Sequence, residues 1–227
     1  MPDEGRFIVL EGGDGVGKTT QAALLSSWFE ALGLPFLSTR EPGGTPVGEA
    51  IREIVLGRRD LDMPAESELL LILAARAAFV QDVVRPALED GITVLADRFS
   101  LSTLAYQGYG RGLELDRVRK GIEISTSGLE PDYCLILDLP VDEGQERQRA
   151  EGMEADRIEQ EGPGFRDAVR DGYLALAKSE PNVEVLSARG TAEEVHRHIQ
   201  DRLIQRFPGT FPKVRLHERN VGGADDE

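Results

Sequence analysis

The sequence predicts an α/β protein: a central parallel sheet of about five strands with helices on both faces, three layers in all. Three observations carry that prediction. Short, β-prone apolar runs at 7–10, 92–96 and 133–139 alternate with longer segments of helical spacing, the pattern of a parallel sheet with crossover helices. The first run leads into Gly12-Gly13-Asp14-Gly15-Val16-Gly17-Lys18-Thr19, which fits G-x-x-x-x-G-K-[ST] and opens the first helical segment. Charged clusters at 12–19, 40–45 and 97–98 each follow a strand, so they converge on the rim where open sheets bind ligands.

In chain order, residues 6–11 read as a strand, and 18–32 as a helix with Gly33 as its C-cap. A short strand at 35–39 leads into a loop at 40–46 rich in Pro and Gly, a helix at 48–56 and a polar connection at 58–64. Residues 66–88 read as one long helix, apolar on almost every face and therefore central, with Pro86 near its end. A buried strand at 92–96 follows, then a helix from 100 that breaks at 108–112, and an amphipathic helix at 116–127. The strand at 133–139 precedes a helix at 142–151, a Gly- and acid-rich stretch at 152–164, a helix at 165–177, a strand at 183–186 and a last helix at 192–207. The whole reads as a single domain over 1–208, with a lid at about 144–164 and a flexible tail at 209–227.

Composition narrows the function. With 40% hydrophobic and 30% charged residues, the 227-residue chain reads as a globular protein with one sizeable core. The formal charge of −15 argues against nucleic acid as a partner. The sequence has no apolar run of membrane-spanning length and no signal-peptide pattern, which predicts no membrane partner and a cytoplasmic location. The single cysteine, Cys134, lies in an apolar run and reads as buried and inert. Of 26 basic residues, 22 are arginine and four are lysine, one of them Lys18; arginine suits bidentate phosphate contacts, and genome composition also enriches it. His196 and His198 are two apart, on different helix faces, and read as solvent-facing rather than as a metal pair.

The loop sets the chemistry. At a helix N-terminus the unpaired N–H groups and the dipole favour an anion, and glycines let the backbone curl around a phosphate. Lys18 can reach the β- and γ-phosphates and Thr19 can hold Mg²⁺. Asp97 ends an apolar strand, as a Mg²⁺-binding carboxylate of this architecture does; helix N-capping is its other reading. The chain lacks an Asn-Lys-x-Asp base-reading motif and a second ATPase module, which disfavours GTPases, transporters and helicases and leaves a nucleotide or nucleoside kinase.

The run Phe7-Ile8-Val9-Leu10-Glu11-Gly12, the loop Arg40-Glu41-Pro42-Gly43-Gly44-Thr45, Asp97-Arg98-Phe99, Ser102-Thr103-x-Ala105-Tyr106-Gln107-Gly108 and Asp156-Arg157-Ile158-Glu159 together resemble the motifs of bacterial thymidylate kinases, in the same order and over residues 6 to about 205. The resemblance implies a P-loop nucleoside monophosphate kinase-like fold and an ATP:dTMP phosphotransferase, making dTDP for dTTP synthesis with Mg²⁺. It also implies a homodimer, for which the apolar face of the 66–88 helix is the candidate.

Carried over by motif position, the resemblance assigns the ATP phosphates to Gly12, Gly13, Asp14, Gly15, Val16, Gly17, Lys18, Thr19 and Thr20, and the metal to Thr19 and Asp97. Lys18 and Arg98 are the expected catalytic cations, with Arg98 bridging acceptor and donor phosphates. Asp14 is implied to contact the acceptor 3′-hydroxyl; Glu41, Pro42 and Arg52 fall in or after the acceptor loop, and Arg40 is a further phosphate candidate. Arg76 matches the arginine that binds the thymine carbonyl, and Ser102, Thr103 and Gln107 match positions near the base. The family stacks an aromatic ring where this chain has Ile72, so either aliphatic contact replaces stacking or Phe79 or Tyr106 supplies the ring. The phosphate loop has no arginine, so the catalytic arginines are sought in the lid, among Arg147, Arg149 and Arg157; for Arg149, pairing with Glu143, Glu146 or Glu151 is an equal reading.

Overall fold

A computed structural model describes residues 5–150, 152, 156–158 and 160–212. Its five strands are β1 (Phe7–Glu11), β2 (Phe36–Arg40), β3 (Thr93–Asp97), β4 (Tyr133–Asp138) and β5 (Val183–Ser187), in the spatial order β2-β3-β1-β4-β5. Every pairing is parallel, with Leu10 beside Asp97 on one side and Leu135 on the other, and Arg40 beside Asp97. Glu11, Arg40 and Asp97, the last residues of three neighbouring strands, therefore share one rim.

Strand parity builds two cores. Phe7 and Val9 face one side, with Phe79, Phe99 and Val118; Ile8 and Leu10 face the other, with Leu25, Phe29, Ile199 and Leu203. Strands buried on both faces read as continuous apolar runs, which is why 7–10, 93–96 and 133–137 carry no alternation. The helices are α1 (Lys18–Leu32), α2 (Pro46–Arg52), α3 (Ala65–Phe79), α4 (Arg85–Glu89), α5 (Ser100–Thr103), α6 (Leu115–Thr126), α7 (Val141–Ala150), α8 (Pro163–Leu176) and α9 (Ala192–Arg206). Local chemistry sets several ends. Gly33, at φ 68°, closes α1; Thr45 caps α2 with Pro46 in its first turn; Thr191 and Glu194 form a reciprocal capping box on α9.

Four expectations are corrected. The 66–88 segment is α3, a wide turn at Val80–Val84 and then α4, with Arg85 N–H donating to Val80 O, five residues back. Pro86 cannot donate to the preceding turn, and the widened turn accommodates it. Similar wide turns follow α2 at Glu53–Gly57 and α5 at Leu104–Gly110. Nor is α3 buried all round: Leu70 is 66% exposed. The tail does not begin at 209, because Phe211 is fully buried, stacked on Trp28 and Phe29 at 5.4 and 5.2 Å; residues 213–227 lie outside the described residues. His196 is half-buried, edge-on to Trp28 at 6.4 Å, while His198 is exposed. Cys134 is buried as expected, and burial pushes its thiol pKa up. Among the described residues, no helix is long and apolar enough to cross a membrane.

Candidate active site

The charged ends of β1, β2 and β3 open into one cavity of about 730 Å³. Its walls run from Lys18 and Thr19, past Asp97 and Arg98, to Ile72, Arg76 and Gln107. The phosphate loop forms the floor of one end. Gly12, Gly15 and Gly17 have φ of 130°, 73° and 91°, so these three turns need glycine. Space closes the case at two of them: a Cβ on Gly12 would lie 2.3 Å from Leu137 O, and one on Gly15 would lie 2.1 Å from Gly144 O in α7.

Lys18 curls back over this loop and donates to Gly12 O at 3.2 Å and Gly13 O at 2.6 Å. Burial, and then the charge of Arg98, push its ammonium down to about 8 against the pull of Asp97, Asp14 and Glu11. Both carbonyls are neutral acceptors, so an incoming phosphate is the stronger partner. Thr19 Oγ1 donates to Asp97 Oδ2 at 3.1 Å, and Asp97 Oδ1 is buried with no protein partner. A hydroxyl and a carboxylate with an oxygen to spare fit Mg²⁺, which takes few protein ligands beside phosphate oxygens and water.

Arg98 stands between the loop and the acceptor side, at φ 75°, a left-handed backbone unusual for arginine. Its guanidinium donates to Gly12 O at 3.0 Å and Tyr106 Oη at 3.1 Å, and pairs with Asp14. Tyr106 also donates to Asp14 at 3.0 Å. Beneath Arg98 lies Glu11, fully buried, accepting from Phe99 N–H at 2.9 Å, Ser102 Oγ at 2.6 Å and Tyr173 Oη at 2.9 Å. Those bonds hold the turn after Arg98 and point both hydroxyl protons away from the guanidinium. Burial pushes Glu11's pKa up, although Ser102, Arg98, Phe99 and Tyr173 all draw it down.

The other end is built by α3, whose Glu68, Ile72 and Arg76 are four residues apart and share one helix face. Arg76, 2% exposed, donates to Glu41 Oε2 at 2.8 Å, Thr103 Oγ1 at 2.8 Å and Phe99 O at 2.9 Å. Glu41 Oε1 is buried without a protein partner, and burial raises the Glu41 pKa despite Arg76. Gln107 donates to Glu68 Oε1 at 3.0 Å. Of the two rings that could replace an aromatic at Ile72, Tyr106 lines the cavity with it, whereas Phe79 is core, packed on Phe99 at 6.4 Å.

Most of the sequence-predicted residues thus meet around one cavity: Asp14 to Thr20, Glu41, Pro42, Arg52, Ile72, Arg76, Asp97, Arg98, Ser102, Thr103 and Gln107 all line it. Arg52 is held by Pro42 O at 3.0 Å, and Arg40 forms an exposed pair with Glu49. Two lid arginines are placed elsewhere. Arg149 is exposed and donates to Gln145 at 3.2 Å. Arg157 donates to Val55 O at 2.7 Å and pairs with the buried carboxylate of Glu68. The lid arginine that lines the cavity is Arg147, nearly two turns into α7 and held by Ala188 O at 3.0 Å. Glu151 and Glu159 lie outside the described residues. Glu11 and Glu68 are the residues that the sequence reading missed; each borders an apolar run, Glu11 after 7–10 and Glu68 before 69–75, and that position is the available signal.

The family model described as thymidylate kinase matches residues 10–199. Curated relatives include the thymidylate kinase of Chromohalobacter salexigens, 46% identical over 207 residues, 89% of this chain and 97% of the relative. That of Pseudomonas putida strain GB-1 is 45% identical over 212 residues, 93% of this chain and 99% of the relative. That of Pelotomaculum thermopropionicum is 46% identical over 194 residues, 85% of this chain and 90% of the relative.

Proposed function

The chain belongs to the thymidylate kinase family, and from that premise we propose that it transfers the terminal phosphoryl group of ATP to the phosphate of dTMP, giving ADP and dTDP. The observation that carries this reading is the single cavity that joins the phosphate loop to the Arg76 end past Arg98. Two nucleotides entering from opposite ends would meet with their phosphates at Lys18 and Arg98.

The acceptor is a phosphate oxygen, already largely ionised at neutral pH because a monoester's second pKa is about 6. No general base is required, and the protein's task is alignment and charge neutralisation. In this reading Gly12, Gly13, Asp14, Gly15, Val16, Gly17, Lys18, Thr19 and Thr20 hold the donor phosphates. Lys18 leaves its loop carbonyls for the transferring group, and Arg98 spans the two phosphates. Thr19 and Asp97 would hold Mg²⁺, which when bound neutralises charge on the donor oxygens. Arg147, on the cavity side of a lid over about 144–164, brings positive charge toward the donor phosphates, and the lid excludes water.

Asp14 and Tyr106 face the acceptor sugar, and Glu41, Pro42 and Arg52 its phosphate. Arg76, Ser102, Thr103 and Gln107 face the base, against the aliphatic wall of Ile72. The kinase domain runs at least as far as Phe211 and works as a cytoplasmic homodimer through the open faces of α3 and α6, where Leu70 and Ile124 are 66% and 80% exposed. Sedimentation velocity of the wild-type protein and of Leu70→Glu tests the dimer; a monomer in both removes it.

The function is tested by ADP release from ATP–Mg²⁺ with dTMP, dUMP, dCMP, AMP, GMP and thymidine. Turnover strongest with dTMP is the expected result. Preference for another acceptor would move the substrate, and ATP binding without acceptor-dependent turnover would end the kinase reading.

A further inference from the structure

Glu68 is fully buried beneath the base end of the cavity and is met by three side chains from two segments. Arg111, from the end of the wide turn after α5, donates to it at 2.9 and 3.1 Å; Arg157, from the lid segment, pairs with it; Gln107 Nε2 donates to it at 3.0 Å. Burial alone would push its carboxyl up, but the Arg111, Arg157 and Gln107 hydrogen bonds outweigh burial and hold it below the usual range. It therefore stays ionised at neutral pH, and an ionised carboxylate accepts only.

That fixes the direction of Gln107. A glutamine amide has a donor prong and an acceptor prong of nearly equal shape, and either can face a ligand. Here the NH₂ prong is committed to Glu68, which turns the Oε1 prong to the other side. Gln107 is 1% exposed and lines the cavity, so it has no room to exchange faces through solvent. Arg76, one wall away, carries donors only. The base end is thus lined by Arg76, which can only donate, and by the acceptor prong of Gln107. A pyrimidine with a carbonyl beside a ring N–H, as in thymine and uracil, matches that pair. Cytosine, with an amino group beside a bare ring nitrogen, opposes it at both positions.

We infer that Glu68 is a specificity-positioning residue: by holding the Gln107 amide in one orientation, it makes the site accept thymine-type bases and reject cytosine. This deepens the dTMP kinase reading and rests on it. Glu68 touches no substrate and acts only through Gln107.

The test is kcat/KM for dTMP, dUMP and dCMP with the wild-type protein, Glu68→Gln and Glu68→Asp. A glutamine at 68 can donate to Gln107 and let it reverse. The expected result is a dTMP-to-dCMP ratio that falls about tenfold or more in E68Q, the scale set by leaving one buried polar group mispaired. The dTMP-to-dUMP ratio should not move, because those bases share the edge in question. E68D, still acceptor-only, should keep the dTMP-to-dCMP ratio even with slower turnover. An unchanged ratio in E68Q overturns the inference while leaving the kinase reading intact. A wild-type protein that does not prefer dTMP to dCMP overturns the reading beneath it. Should E68Q not fold, the side-chain NH₂ resonances of Gln107 in the wild-type protein decide. They should keep their exchange protection when dTMP is added, because the NH₂ prong stays on Glu68 while Oε1 takes the ring N–H of the base; loss of that protection on adding dTMP overturns the inference.

Discussion

The two ends of the cavity both bury a carboxylate completely, and they treat it in opposite ways. At the phosphate end Glu11 is surrounded by neutral donors, two backbone N–H groups and two hydroxyls, and its pKa rises. At the base end Glu68 has two guanidinium groups and an amide, and its pKa falls. The cations follow the same division. Lys18 is held by carbonyls, which a phosphate can displace; Arg76 is locked to Glu41. One end stores positive charge that is ready to move, and the other neutralises charge in place and keeps only hydrogen-bond direction. An anion that must be grasped and a base that must be read need those two different arrangements.

Breaking each end should fail differently. Lys18→Ala should lower kcat about 10³-fold, the scale for losing a charge-stabilising donor, while the unfolding temperature stays within a few degrees of wild type. Near-normal turnover would sink the division. Arg76→Met should act first on stability: Glu41 loses its cation, at a cost of about 3–5 kcal/mol in urea unfolding, with a raised KM for dTMP. A normally stable R76M would mean that the Arg76–Glu41 pair is not locked.

The two carboxylates should give opposite pH signatures. The folded pKa of Glu68 is lowered from 4.5, so its contribution is complete above 4.5 and is lost as pH falls through the folded value. Stability of E68Q should therefore decline less than wild type below pH 4.5. Glu11's is raised from 4.5, so wild-type protein gains stability as pH falls through the folded value toward 4.5, and Glu11→Gln should lack that gain. Equal slopes in both variants, read from unfolding at a series of pH values, would erase the contrast. The smallest effect belongs to the lid: Arg147→Ala should lower kcat about tenfold, and more than Arg149→Ala, because only the first lines the cavity. The reverse ranking would place Arg149 on the donor phosphates.

The phosphate end was the more legible in sequence, for a physical reason. Its glycines answer backbone conformations and close approaches that no other residue meets, so they leave a pattern with fixed spacing. Alternation and apolar runs gave the five strands to within a residue. The base end was less legible because its logic is pairing across the fold: Glu68 lies 39 residues from Gln107 and 89 from Arg157, and nothing local marks their meeting. Helix periodicity hid the wide turns, since one extra residue per turn barely shifts an apolar pattern. Phe211 was obscured by the Pro and Gly around it, which read as a loop although the ring is core.

The close approach of Gly15 to Gly144 has a mechanical consequence. Two bare backbones meet there, with no side chains to interlock, so α7 rests on the phosphate loop as a beam rests on a bearing. The beam carries Arg147 one turn beyond its support. A methyl group at 144 would sit 2.7 Å from Asp14 O and seize that bearing without removing a single charge from the site.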